Sequence, residues 1–414
     1  MKKNPLTRLF TFAVSIFFLL VFLPSTDAAE EKVIFGLVSP LSGPFQDIGE
    51  RDVHAVKSAV EQINAEGGLL GKKVELLVED DEFNPAVATR KARKLILEDG
   101  AKFIINNTGS HITLALAPIA EKYKVINLTA ATEAAKITGS EFTPYTFRAC
   151  LNTDQHSGAI VAYFAKKYPQ YKKYYLLNQD YAFGREAAES FKKKFKQVMP
   201  PDAEIIGEVF HPLGLRDFAP YVSTIMASGA EVVLTGDFGT DLRLLLKQGA
   251  ALGWKIKLGS YFLDDPLITQ DVGQAAVGHV TADVYAPTID SPPNKAFLEK
   301  WRARDKDAPL VFKYPNAIMG KIYWAIRFMA EAIKKADSTD AEAVIKAWEG
   351  MSFEVPWGTV TMRACDHQLI TPAVVAEVEA LSDIYDFPYM GRPAIIPAEE
   401  ITVPPELTGN SRCK

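Results

Sequence analysis

The sequence predicts an α/β protein built of two doubly wound parallel-sheet lobes, and three observations predict it. From Val33 onward, short apolar, β-branched runs alternate with amphipathic segments, the pattern of βαβ units. The alternation runs to about residue 128 and begins afresh near residue 155, so two sheets follow one another along the chain. The 414 residues are too many for one ordinary hydrophobic core and enough for two.

Residues 33–41 read as a strand, 52–66 as a helix ended by Gly67 and Gly68, and 74–79 as a second strand. A helix at 85–98, a strand at 102–106, a helix at 111–123 and a strand at 125–128 complete one parallel sheet flanked by helices. The second set has strands at 174–178, 205–210, 231–235 and 256–259, with helices at 155–167, 185–198, 218–228 and 241–252. Past Ala286 the pattern changes to long helices, 294–304, 314–335 and 340–349, before two strand-like runs at 358–363 and 373–379. The tail from Phe387 carries several prolines and no periodicity, and reads as an irregular wrap or a frayed terminus.

Lys2, Lys3 and Arg8 precede an apolar run at 9–23, and small or polar residues follow at 24–29. That order is a secretory signal peptide, 1–28, with the cut expected after Ala28. The run is shorter than the ~20 apolar residues of a spanning helix. No Cys lies near the cut, so a soluble periplasmic protein is expected. With 48% apolar residues and a net charge of −5, the chain reads as globular and not as a nucleic-acid partner. Lysines at 166, 167, 172, 173 and at 192, 193, 194, 196 read as solvated helix faces. Of Cys150, Cys365 and Cys413, an oxidising compartment allows one bridge. Cys365 with Cys413 is favoured because it would tie the tail to the body, although spacing alone does not decide.

Motifs for catalysis are missing: no GxSxG, GxxxxGK[ST], HExxH or GxGxxG is present, and six histidines show no ligand spacing. His111, at an expected helix start, is read as a helix-face residue, and Asp80-Asp81 as a structural turn, since adjacent strand side chains point apart. What stands out is polar loops beyond predicted strands, where open parallel sheets bind ligands. These are 39–44, 106–110 and 129–132. A helix amino terminus with Ser or Thr hydroxyls suits a carboxylate. Ser110 or Thr132 alone would serve equally well as a helix cap, but their convergence from separate strands points to a site. The second set places Tyr181, Phe183, Phe238, Tyr261 and Phe262 just past strand ends, an apolar wall opposite those polar loops.

Leu41-Ser42-Gly43-Pro44, Ile63-Asn64-Ala65-Glu66-Gly67-Gly68, Asp80-Asp81, Thr108-Gly109-Ser110 and Ala130-Ala131-Thr132 continue into Asp180-Tyr181-Ala182-Phe183-Gly184 and Arg216-Asp217-Phe218. In that order they resemble the type I periplasmic solute-binding proteins, specifically the branched-chain amino acid (Leu/Ile/Val-binding) family. The resemblance implies a first lobe of 29–148 with 282–354, a second of 149–281 with 355–386, and a tail of 387–414. A three-strand hinge is implied near 146–151, 280–287 and 355–360. It further implies that Thr108, Gly109 and Ser110 hold a ligand carboxylate and that Ala130, Ala131 and Thr132 hold an ammonium together with an acid from the second lobe. Here that acid's position is Tyr261, and a tyrosine that usually lines the first lobe is Ile48. Ser42 and Phe45 complete the first-lobe candidates. An ammonium without a counter-charge is costly in a closed cleft. Asp237, Asp264 or Asp265 could supply one; otherwise the ligand lacks an ammonium. An aromatic or apolar organic acid is therefore favoured over an amino acid. The expected function is a monomeric receptor that captures a small-molecule ligand by hinge closure and presents it to an inner-membrane ABC permease, without a cofactor or catalysis. The alternative is a sensor that signals its bound state to a partner.

Overall fold

The computed structural model describes residues 31–414. The expected signal segment lies outside the described residues. In the first sheet, β1 (Val33–Ser39) leads through a one-turn 3-10 segment into α1 (Gln46–Ala65). There follow β2 (Val74–Asp80), α2 (Pro85–Leu97), β3 (Phe103–Ile105), α3 (Ser110–Tyr123), β4 (Ile126–Thr129) and β5 (Thr146–Arg148). All pairings are parallel, in the order β2-β1-β3-β4-β5. Helix α1 begins six residues earlier than the periodicity predicts. Gly49 is the reason: a Cβ there would lie 1.8 Å from the Pro40 carbonyl oxygen, so a glycine that resembles a helix breaker is required where the helix crosses that loop.

The second sheet repeats the scheme. It comprises α4 (Thr153–Lys167), β6 (Lys173–Gln179), α5 (Ala182–Val198), β7 (Glu204–His211), α6 (Ala219–Ser228), β8 (Val232–Thr235), α7 (Gly239–Ala251), β9 (Lys257–Ser260), α8 (Pro266–Val272) and β10 (Val280–Asp283). The chain then supplies α9 (Pro292–Arg304), α10 (Leu310–Lys313), α11 (Ala317–Ala336) and α12 (Ala341–Trp348), of which α11 packs along α1 of the first lobe. Next come β11 (Ser352–Val355), β12 (Gly358–Met362) and β13 (Leu369–Ile370), and only β14 (Ala373–Glu379) returns to the second sheet.

The second sheet runs β7-β6-β8-β9-β10 in parallel, with β14 antiparallel beside β10. Residues 355–360, expected as a hinge crossing, instead end β11 and enter β12, the middle strand of a separate three-stranded antiparallel sheet. The chain therefore passes between lobes at 149–152, 284–291 and 371–372. The physical reason is packing. Phe353 of β11 stacks on Phe328 of α11 at 5.2 Å, Phe328 meets Trp348 of α12 edge-on, and Trp348 stacks on Phe147 of β5 at 4.4 Å, which ties this small sheet through α11 and α12 to the first lobe.

The tail is structured. β15 (Tyr389–Met390) and β16 (Ala394–Ile396) both pair with β14, and α13 (Ala398–Ile401) packs on α4. Cys365 and Cys413 form a disulfide, and Cys150 is a buried free thiol. Among the described residues no helix is long and apolar enough to cross a membrane.

Candidate functional site

Both sheets reverse their strand order at one point, between β1 and β3 in the first and between β6 and β8 in the second. Ligands of open α/β sheets bind beyond the carboxyl ends of strands at such switch points. Here the loops beyond both switch points line one cavity of about 80 Å³, room for several waters and so for a small molecule. A larger groove of about 780 Å³ lies elsewhere, along 287–314 and 379–392. Lys295 and Arg392 on its rim pair with Asp290, and none of the loops beyond the two switch points reaches it.

The first lobe gives the cavity Ile48, Phe83, Asn107, Thr108, Gly109, Ser110, Ala131, Thr132 and Glu133, with Ile318 and Lys321 from α11. Tyr181, Phe183, Phe238, Gly239, Phe262 and Asp265 come from the second lobe. Helix α3 starts at Ser110 on this wall, so its leading N–H groups and positive dipole end lie there. Gly109 precedes it at φ 86°, where a Cβ would stand 2.8 Å from the Phe83 ring. Only glycine suits both the backbone and that contact. Asp80 and Asp81 build the turn that carries Phe83: Asp80 accepts from the Leu41 and Glu82 amides, and Asp81 from the Phe83 amide.

Several candidate residues prove to be committed to the protein itself. Thr108 Oγ1 donates to Asp52 at 2.7 Å, and Ser39 donates to the same carboxylate oxygen at 2.9 Å. Thr132 Oγ1 lies 2.9 Å from Thr113 Oγ1 and 2.7 Å from Thr129 Oγ1, so its hydroxyl is shared within the lobe. Ser110 Oγ accepts from the Ala134 amide and keeps its own proton to donate. Asn107 Oδ1 accepts from the Ala130 amide, while its Nδ2 is buried without a partner. That pairing explains why Ala130 stands behind the wall and not on it.

Four further candidates lie off the cavity. Asp237 is fully buried against His211, 2.7 Å away, and so cannot supply the missing counter-charge. Tyr261 is fully buried too, stacked on His156 at 4.0 Å with its hydroxyl bound to Ser157 and the Thr153 carbonyl. It buttresses Phe183 and Phe262 from behind. Ser42 hydrogen-bonds Asp80 and serves the turn. Phe45 stacks on Phe83 at 4.1 Å and lines a neighbouring cavity of about 250 Å³. Ile48, Thr108, Gly109, Ser110, Ala131, Thr132, Tyr181, Phe183, Phe238 and Phe262 do meet around the central cavity.

The sequence reading missed the charged floor. Lys321 Nζ lies 2.8 Å from Asp283 Oδ2 and 3.6 Å from Glu133 Oε1. His156 places Nδ1 2.8 Å from Glu133 Oε2 and Nε2 2.6 Å from the Ala282 carbonyl. Both ring nitrogens face oxygens of the protein. Burial acts to raise the Glu133 pKa, but His156, Lys321 and Arg148 outweigh it and hold the carboxyl below its usual range. Asp264 is the opposite case: burial, then the Asp283 charge, push its pKa far up, and neither of its oxygens has a partner. Asp265, the remaining candidate acid, is bound in a bidentate pair with Arg51 at 3.0 and 3.1 Å. Of these acids only Asp264 and Asp265 were weighed from sequence, because isolated charges inside apolar helices and loops carry no spacing signal.

A family model described as periplasmic binding protein matches residues 32–383. The chain is 28% identical over 366 residues to Leu/Ile/Val-binding protein homolog 4 of Brucella abortus, covering 85% of each. It is similar in structure to the leucine-, isoleucine-, valine-, threonine- and alanine-binding protein of Brucella ovis in its closed conformation. There the TM-score is 0.82 and the identity 27%, over 90% of this chain and 97% of that one. A solute-binding protein of an ABC transporter from Rhodopseudomonas palustris, in complex with 3,4-dihydroxybenzoic acid, matches with a TM-score of 0.76 and 27% identity, over 89% of this chain and 98% of that one. The chain belongs to the periplasmic binding protein family, as a solute-binding receptor of an ABC transporter.

Proposed function

We propose that this receptor captures a small carboxylate with an apolar or aromatic body, in preference to an amino acid, and delivers it to an inner-membrane permease. The observation that carries the reading is the division of the cavity wall. Free donors of Ser110, Asn107 and the α3 amino terminus stand on one side, and the rings of Tyr181, Phe183, Phe238 and Phe262 on the other. A carboxylate binds the donors of the first lobe, and the rings close over the apolar body. Closure is then selected by ligand because only the closed form offers both walls. The Rhodopseudomonas relative supports an aromatic acid, and the Brucella relatives keep the amino acid reading as the alternative.

The receptor works as an exported, monomeric, non-enzymatic protein of the periplasm, with the small β11–β13 sheet belonging to the first lobe and the second lobe resumed at β14. Calorimetric titration with benzoates, branched aliphatic acids and amino acids tests the cargo. The expected result is saturable binding of an acid at least tenfold tighter than leucine, weakened at least tenfold in Phe183→Ala. Tighter binding of leucine would reverse the assignment.

A further inference from the structure

Subtracting the internal hydrogen bonds of the cavity wall leaves a short inventory of groups free to meet a ligand. Thr108 and Thr132 are spent on Asp52 and on neighbouring threonines, and Asp265 on Arg51 and the Leu267 amide. The donors left are Ser110, Asn107 Nδ2, the Tyr181 hydroxyl and the α3 terminus. Among the carboxylates on this wall, the acceptor left is Glu133 Oε1, on a side chain that is 1% exposed. A buried carboxylate oxygen that lacks a partner is costly, so a ligand hydrogen delivered to it would be strongly selected.

The charge around Glu133 decides what kind of hydrogen. Lys321 stands between Glu133 and Asp283, 2.8 Å from the Asp283 carboxylate, and His156 Nδ1 lies 2.8 Å from the other Glu133 oxygen, so the carboxylate already faces a cation within the protein. Lys321 also lines the cavity, and its ammonium lies 3.6 Å from the same open oxygen. A ligand ammonium at Oε1 would therefore sit against a like charge inside a closed site. A neutral hydroxyl meets no such repulsion.

We propose that Glu133 is a specificity-determining residue that accepts a hydrogen bond from a ligand hydroxyl, with Lys321 excluding ammonium, so that the cargo is a hydroxyl-bearing carboxylate with an apolar or aromatic body. This rests on the carboxylate reading above and narrows it. The hydroxyl supplies what the oxygen lacks, and the carboxylate goes to Ser110, Asn107 and α3.

The test is calorimetry on protein freed of bound small molecules, using matched probes: benzoate against 3- and 4-hydroxybenzoate, and phenylacetate against mandelate and phenylglycine. At least one hydroxylated acid is expected to bind tenfold or more tightly than its plain partner, with phenylglycine the weakest of its trio. In Glu133→Gln the hydroxyl preference is expected to fall at least threefold. In Lys321→Met, which removes the like charge and leaves acids uncompensated, phenylglycine binding is expected to rise. Equal binding of hydroxylated and plain acids overturns the inference and leaves the carboxylate reading standing. Binding of leucine or phenylglycine with rejection of every acid overturns both. The wild-type comparison decides even where a variant fails a circular-dichroism check of its fold, and a folded Lys321→Met that still rejects phenylglycine overturns the exclusion of ammonium by charge.

Discussion

Asp52 shows how one buried acid shapes the site without lining it. It accepts from Ser39 and Thr108 and so fixes the loop that enters α3. Burial raises its pKa from 3.8 to about 6, against the opposing effect of those two hydroxyls. Because the folded pKa lies above the unfolded one, the folded state holds the proton more tightly. The resulting contribution is full below pH 3.8 and is lost as pH rises through about 6. It amounts to about 3 kcal/mol. Asp81 is raised to about 7 by burial and adds a term of the same sign. Asp52→Asn keeps an oxygen for both hydroxyls and removes the titration. Urea unfolding at pH 4.5 and 7.5 is therefore expected to show the variant gaining stability relative to the wild type as pH rises. Parallel behaviour at both values would mean that Asp52 does not titrate in this window. Glu133 and Lys321 were invisible from sequence for a related reason. Each acquires its role from groups far away in the chain, and a lone Lys between Gly320 and Ile322 on an apolar helix has no pattern to betray it.

At the scale of elements, the contact that most directly joins the lobes at the cavity is Arg51 on α1 with Asp265, the residue that caps α8. The guanidinium is 1% and the carboxylate 7% exposed, so this is a buried bidentate pair that exists only while the lobes are together. Removing one partner of such a pair leaves an unpaired buried charge, at about 3–5 kcal/mol, whereas replacing both is far milder. Arg51→Met and Asp265→Leu are each expected to raise the ligand Kd at least tenfold, and the double variant to cost less than the sum of the singles. Additive losses in the cycle would show that the two side chains do not act as a pair. The pair was out of reach of pattern reading, since 214 residues separate its members. The βαβ elements themselves were legible because their signal is local: the two parallel sheets fall where the alternation put them, and Phe183, Phe238 and Phe262 just past their strands. What misled was local chemistry overruled by packing. Gly49 is an example, as is β12, whose partners β11 and β13 hold it away from the crossing.

At the scale of the whole molecule, the tail adds a fourth connection to the three crossing segments. It leaves β14 through β15 and β16, lays α13 on α4 of the second lobe, and then ends on the first-lobe side. There Asn410 Nδ2 donates to the Thr138 carbonyl at 3.1 Å, Arg363 donates to the Val403 carbonyl, and Cys413 is bonded to Cys365 beyond β12. Such a strap limits how far the lobes can separate, because its two ends are fixed to different bodies and its middle is short. The bridge spans 48 residues, which on a chain-entropy account stabilises the fold by about 4 kcal/mol. Replacing both Cys365 and Cys413 by Ser is expected to lower the unfolding free energy by up to that amount. It is also expected to increase the radius of gyration of the ligand-free protein in small-angle scattering, with no change in the ligand-bound form. The two measurements separate two roles of one bond. A stability loss with an unchanged ligand-free radius would leave the disulfide as a staple of the tail alone, whereas a wider ligand-free form that closes normally on ligand would make it a limit on opening. The second outcome is expected, since no residue of this strap lines the cavity and closure draws only on the cavity walls and the Arg51–Asp265 pair.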